Sequence, residues 1–185
     1  MNKTIRYALF LLVLGIIAGG LLAVVNSFTA PIIEERQRET VMEALNEHFD
    51  YPKYELVRSD EYTDRTSEIT AIYLAFDEGN VDPVAVIYQV TTQGYGGAVV
   101  SLVGIKADGT FDDVAVVEAK NETPNLGTQI IGHDFGIKNE SVNDYSYDTI
   151  GGATKSSEAV HFAIDIAADH FKKIQDELGG ITNEQ

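Results

Sequence analysis

Residues 83–119 read PVAVIYQVTTQGYGGAVVSLVGIKADGTFDDVAVVEA, and the pattern of this stretch decides the fold. Pro83–Thr91 is dense in Val, Ile and Tyr, residues that suit a pleated, half-buried surface. Gly94-Tyr95-Gly96-Gly97 breaks the run, Ala98–Ile105 resumes it, and Asp108-Gly109 supplies a hairpin signal before a further run at Asp113–Ala119. Upstream, Thr70–Phe76 is a run of the same kind, followed by the turn-like Asp77-Glu78-Gly79-Asn80. Four β-runs in succession, with turn residues between them, argue for an antiparallel sheet.

Downstream, the spacing predicts a helix from about Ser157 to Leu178. Val160, Ala163, Ile164, Ala167, Phe171, Ile174 and Leu178 form its apolar stripe at intervals of three and four, and Gly179-Gly180 is the expected stop. The expected class is α+β: an antiparallel sheet with flanking helices in a domain over residues 67–185. Ahead of it, residues 26–66 read as a juxtamembrane helix and a loop. Ile33, Val41, Met42 and Leu45 share a face of the helical part, Ile32–His48, and the polar Tyr51–Thr66 is expected to be loop with a short strand.

The segment Tyr7–Val25, YALFLLVLGIIAGGLLAVV, carries no charge. As a helix it spans about 28 Å, close to the hydrocarbon thickness of a bilayer. Lys3 and Arg6 precede it, so the positive-inside rule puts residues 1–6 in the cytoplasm and the remainder outside. A cleaved signal peptide also has a basic start and an apolar middle, but this run is longer than the usual one and no small-x-small pair stands at its end; a retained single-pass anchor is the expectation. Gly15 and Gly19 stand at the GxxxG interval, a close-packing face for a membrane neighbour.

The 185 residues hold 13 basic and 29 acidic side chains, and 44% are apolar. Eleven bases and all 29 acids follow the apolar run, a net charge of −18. So acidic a surface repels phosphate backbones and anionic lipid heads, which argues against nucleic-acid binding and peripheral membrane docking. The absence of cysteine excludes disulfides, iron–sulfur clusters, c-type haem attachment and thiol catalysis. His48, His133, His161 and His170 are scattered without metal-ligand spacing, so no metal site is expected.

Chemistry concentrates between the sheet and the last helix, at Asp148-Thr149-Ile150-Gly151-Gly152-Ala153-Thr154-Lys155-Ser156-Ser157. Two glycines let the backbone turn tightly and approach a ligand. Hydroxyl residues then enter a helix whose first N–H groups lack intrahelical partners, a natural anion site aided by the helix dipole and the Lys155 ammonium. Phosphate is the obvious guest. An ordinary loop and N-cap explains the same residues. The spacing is neither a Walker A motif nor a dinucleotide fingerprint.

Gly151-Gly152-Ala153-Thr154-Lys155-Ser156 closely resembles the Ser-Gly-Ala-Thr-x-Ser/Thr flavinylation motif of the FMN-binding domain family. Glu122-Thr123-Pro124-Asn125-Leu126-Gly127 is similar to that family's Glu-Thr-Pro-Gly-Leu-Gly signature, and Gly94-Tyr95-Gly96-Gly97 to its Gly-Tyr-Gly-Gly turn. With the anchor, the order and spacing resemble the G subunits of Rnf-type electron-transport complexes over nearly the whole chain. The resemblance implies FMN bound covalently as a phosphoester on the Thr154 hydroxyl, attached outside the cytoplasm by a separate Mg-dependent flavin transferase. It places Gly152, Ala153, Lys155, Ser156, Glu122, Thr123, Leu126, Gly127, Gly94 and Tyr95 around the cofactor. It leaves two roles open for Glu122, accepting from the flavin or ribityl chain or holding a loop amide, and two for Tyr95, packing on the ring or lidding the core. Asp148 and Thr149 are either part of the transferase's recognition stretch or ordinary surface.

Two departures stand out: Gly151 replaces a common Ser, and Asn125 replaces a Gly but tolerates a left-handed backbone. No general acid, base or nucleophile is required of an electron-transfer subunit, and no independent turnover is expected. By the same resemblance its partners are the other membrane subunits of an Rnf-type ferredoxin:NAD oxidoreductase that translocates ions. The C subunit of sodium-translocating NADH:quinone reductases is similar too, though usually longer, and a cofactor-free anchored binding domain is the non-redox alternative.

Overall fold

The computed structural model describes residues 3–57, 66–79 and 82–181; the side chains of Glu34 and of residues 176–181 lie outside that description. Two compact units divide the chain, Met1–Met42 and Glu43–Gln185. The first consists of helix, part of α1 (Lys3–His48), which passes through Pro31 without ending. Its apolar side chains from Ile5 to Phe28 are exposed, and it is the one helix among the described residues long and apolar enough to cross a membrane. Of the stripe expected on residues 32–48, Val41 and Leu45 are buried, whereas Ile33 and Met42 are exposed.

The second unit is built on five strands: β1 (Lys53–Leu56), β2 (Ile69–Phe76), β3 (Ala85–Gln93), β4 (Ala98–Lys106) and β5 (Phe111–Glu118). They lie in the sheet in chain order, each antiparallel to the next. The four runs legible in the sequence are β2 to β5, with boundaries moved by one or two residues. β1 is the short strand expected inside Tyr51–Thr66; the rest of that loop, residues 58–65, lies outside the described residues, as does Asn80 of the first turn. The β4–β5 turn uses Asp108-Gly109 as the sequence indicates. Gly109 sits at φ +84°, and the Asp108 carboxylate accepts from the Thr110 hydroxyl and N–H at 2.7 and 2.9 Å. These two donors hold the Asp108 pKa below its ordinary value.

Both faces of the sheet are covered. On one, Val86, Tyr88 and Val90 of β3 and Val99, Val103 and Ile105 of β4 join the core formed with Val160, Ala163, Ile164, Ala167, Phe171 and Ile174 of α2 (Thr154–Ile181). A fully buried Ile, Val or Phe contributes about 1.5–3 kcal/mol, so the four such helix positions, Val160, Ile164, Phe171 and Ile174, dominate the docking of α2. On the other face, the Phe49 ring fills the space left by the missing side chain of Gly104, where a Cβ could not be accommodated.

Helix α2 departs from the expectation at both ends. It begins three residues earlier, at Thr154, and runs through Gly179-Gly180 to Ile181. Glycine weakens a helix interior by about 1 kcal/mol and so does not have to end one. The side chain of Leu178, the last position of the expected stripe, lies outside the described residues.

Candidate functional site

Helix α2 opens onto a cleft of about 390 Å³ lined by Tyr95, Thr123, Leu126, Gly127, Gly152, Ala153, Thr154, Lys155 and Ser156. That volume lies in the ~300–1,000 Å³ range of small-molecule sites. Three segments far apart in the chain meet here: the β3–β4 turn, the loop after β5, and the start of α2. A second, more open cleft of about 520 Å³ lies elsewhere, lined by Tyr51, Asp77, Asp82 and Lys106 among others, and contains none of the motif residues.

The start of α2 is fixed by its own backbone. Ala153 donates to the Ile150 carbonyl at 3.0 Å, and the Ala153 carbonyl accepts the first helical bond, from Ser157, at 2.9 Å. The Ser157 hydroxyl turns back to accept the Ile150 N–H at 3.2 Å. Gly152 completes the turn at φ +85°, a conformation that side chains resist. The N–H groups of Thr154, Lys155 and Ser156 are therefore left at the helix end without a backbone partner among the described residues, and the same three residues line the cleft. Thr154 is exposed, and among the described residues its hydroxyl makes no hydrogen bond. An unengaged hydroxyl beside three free amides suits a phosphate group. The Lys155 ammonium lies 2.6 Å from the Glu158 carboxylate, an exposed pair one turn along.

Tyr95 and Leu126 form an apolar rim. Tyr95 is 74% exposed, so it does not lid the core; Leu126 is 41% exposed and stands 3.2 Å from where a Cβ on Gly152 would be. Asn125 holds the left-handed φ of +61°, the conformation for which Asn substitutes for Gly. Glu122 is turned inward, 3% exposed. One carboxylate oxygen accepts the Gly96 N–H at 2.9 Å and the other accepts the Ser156 hydroxyl at 2.5 Å. Of its two open roles, the structure displays the loop-amide one.

Three further residues support the site, of which Asn121 and His161 belong to none of the motifs. Asn121 lies under the glycine turn: a Cβ on Gly96 would run into its backbone carbonyl, and one on Gly97 would come within 2.8 Å of its side chain. His161 Nε2 pairs with the Asp148 carbonyl at 2.9 Å, and its ring stacks on Tyr147 at 3.8 Å, fixing the approach to the glycine turn. Ser157 is the third. The signal for His161 was its place seven residues beyond Thr154 on a mostly apolar side of the helix. His170 is buried apart from it, beside the Tyr88 hydroxyl. Among the described residues no cluster has the composition of a metal site.

The two glycines of the turn are not equivalent. Gly151 has open space where a side chain would go and no positive φ. Gly151→Ser is expected to change stability by less than about 0.5 kcal/mol. Gly152→Ala is expected to cost about 1–2 kcal/mol from its left-handed backbone alone. Thermal melts of the two variants check the difference.

Comparison with known proteins points the same way. A model of the FMN-binding domain matches residues 94–169, which contain all three segments of the cleft, and a model of the RnfG N-terminal region matches residues 1–47. The chain is similar to the G subunit of the ion-translocating oxidoreductase complex of Pseudomonas aeruginosa, 30% identical over 201 residues that cover 96% of this chain and 92% of that one. The corresponding protein of Vibrio cholerae is 27% identical over 200 residues, covering 94% and 92%. The G subunit of the Na(+)-translocating ferredoxin:NAD(+) oxidoreductase complex of Acetobacterium woodii is 32% identical over 139 residues, covering 69% and 65%. With similarity along nearly its whole length, the chain belongs to the G-subunit family of ion-translocating oxidoreductase complexes, and its residues 94–169 match the FMN-binding domain.

Proposed function

We propose that this protein is an anchored electron carrier that holds FMN as a phosphoester on Thr154, on the extracytoplasmic side of the membrane. The observation that carries the reading is the exposed Thr154 hydroxyl, unengaged among the described residues, beside the free N–H groups that open α2. Thr154, Lys155 and Ser156 donate those amides to the phosphate, and the positive end of the helix dipole favours its charge. Gly152 and Ala153 let the backbone come close to it. Tyr95 and Leu126 present apolar surface to the ring, with Thr123, Gly127 and Gly94 shaping the cleft behind them. When bound, the flavin supplies one- and two-electron chemistry; a phosphoester leaves its ring unmodified, so the protein's surroundings set its electronics.

The assembly follows from the relatives, whose names place them in ion-translocating oxidoreductase complexes, one of them a ferredoxin:NAD(+) oxidoreductase. In this reading residues 7–25 span the membrane, residues 1–6 stay in the cytoplasm and the flavin domain lies outside. Other membrane subunits give and take the electrons, and a flavin transferase matures the chain. Lys3 and Arg6, immediately before the apolar run, support the orientation.

Mass spectrometry of the intact chain, purified from its native membrane or produced beside an active transferase, tests this. The expected mass exceeds that of the polypeptide by one FMN less one water. A mass equal to the amino acids alone, with a control substrate flavinylated in the same cells, overturns the covalent assignment.

A further inference from the structure

Glu122 is a carboxylate enclosed by donors rather than by cations. Both of its oxygens are engaged inside the protein, one by Gly96 N–H and the other by the Ser156 hydroxyl. The surrounding chain is trimmed to make room for it. A Cβ on Gly94 would collide with one oxygen, and a Cβ on Gly127 would come within 2.7 Å of the other and 2.9 Å of Ser156 Oγ. Among the described residues no Lys or Arg forms an ion pair with it, so these two donors are what offset its removal from water.

The segment around Thr154 separates into two classes by exposure. Gly151, Gly152, Thr154 and Lys155 face solvent, whereas Ala153 is 4% and Ser156 2% exposed. The last hydroxyl of the motif is therefore buried and engaged by Glu122, whereas the Thr154 side chain is exposed.

We propose that Glu122 is a positioning residue for flavin transfer to Thr154, acting through Ser156 on the first turn of α2 and through Gly96 on the opposite wall of the cleft. The inference rests on Thr154 as the acceptor. In the transfer, the Thr154 oxygen bonds the phosphorus of a flavin dinucleotide, the pyrophosphate bond breaks, the nucleoside monophosphate leaves with the electron pair, and the Thr154 proton passes to solvent. Glu122 takes no part in those bonds. It holds the hydroxyl and the three amides at a set place relative to the Tyr95–Leu126 rim. Ser156 serves the same lock and is not read by the transferase.

The test uses the full chain in detergent, a purified Mg-dependent transferase and flavin dinucleotide, with covalent flavin read by fluorescence in a denaturing gel. Glu122→Gln keeps both contacts, since its carbonyl accepts from Gly96 and its amide donates to Ser156 Oγ; kcat is expected within roughly threefold of the parent, less than one ordinary hydrogen bond. Glu122→Ala and Ser156→Ala each remove the lock, and kcat is expected to fall roughly tenfold at unchanged KM. The double variant is expected to be no worse than the worse single one, because both substitutions break the same connection.

A raised KM for Ser156→Ala, with Glu122→Ala unaffected, overturns the proposal and makes Ser156 a recognition residue. Equal damage from Gln and Ala at 122 overturns it as well. Should Glu122→Ala fail to fold, the kcat-against-KM split of Ser156→Ala decides alone. Absence of flavin on the parent chain overturns the assignment of Thr154 and this inference with it, whereas a labelled parent beside unaffected Glu122→Ala and Ser156→Ala variants overturns this inference alone.

Discussion

Thr154→Ala protein, produced beside a working flavin transferase, is expected to carry no covalent flavin and to be dark in a denaturing gel. The loss is expected to be complete, because the substitution removes the atom that would be esterified, and the other hydroxyls in the first turn of α2, Ser156 and Ser157, are buried and committed to Glu122 and to Ile150. The fold is expected to survive. The Thr154 hydroxyl makes no hydrogen bond among the described residues, and Ala is a better helix former, so the melting free energy should change by less than about 0.5 kcal/mol. Thr154→Ser keeps the nucleophilic oxygen and is expected to retain label. Fluorescence from Thr154→Ala chains under denaturing conditions would mean that the acceptor lies elsewhere.

Gly96→Ala is expected to cause the largest loss of stability of any single methyl addition near the cleft. Its Cβ would fall on the backbone carbonyl of Asn121, and a backbone atom held by the loop after β5 cannot turn aside as a flexible side chain does. The turn and the loop must separate, which strains the Gly96 bond to Glu122. Overpacking of this kind costs about 3 kcal/mol. At roughly 2–4 °C per kcal/mol for a chain of this size, the melting temperature should drop by roughly 6–12 °C. Gly79→Ala serves as the comparison: its φ of +83° carries backbone strain but nothing lies within 4 Å, so only about 1–2 kcal/mol is expected. Equal melting temperatures for the two variants would show that the close approach of turn and loop is not a constraint.

The sheet was legible because its strands carry their own signals. Val-, Ile- and Tyr-rich runs are bounded by Gly and Asp, and each strand pairs with the next in sequence, so no long-range pairing had to be guessed. The stripe on α2 was legible for the same local reason. Its first turn was not. Thr154 and Lys155 look like loop residues in a pattern-based reading, and the helix begins there only because Gly152 and the Ile150–Ala153–Ser157 bonds fix the entry.

Within the cleft, the motifs identified which segments matter but not how they meet. Glu122 and Ser156 are 34 positions apart, and their bond depends on the docking of α2 against the sheet. Asn121 was silent and His161 nearly so for a similar reason: one acts through a main-chain carbonyl and the other through a ring stacked on Tyr147. Tyr95 shows the limit from the other side. Composition makes a tyrosine between glycines look like a cover for the interior, yet its turn lies against Asn121 and Glu122 and leaves the ring outside.

The neighbour-to-neighbour order of the strands has a consequence for maturation. Hairpins of this kind close locally as synthesis proceeds, since little chain must be ordered to bring each pair together. Helix α2 comes last, and until it docks one face of the sheet is bare and one side of the cleft does not exist. A truncated or stalled chain therefore presents no assembled cleft around Thr154. Under the proposed attachment at Thr154, the flavin would serve as a receipt for a finished domain, issued only after α2 has been delivered and packed.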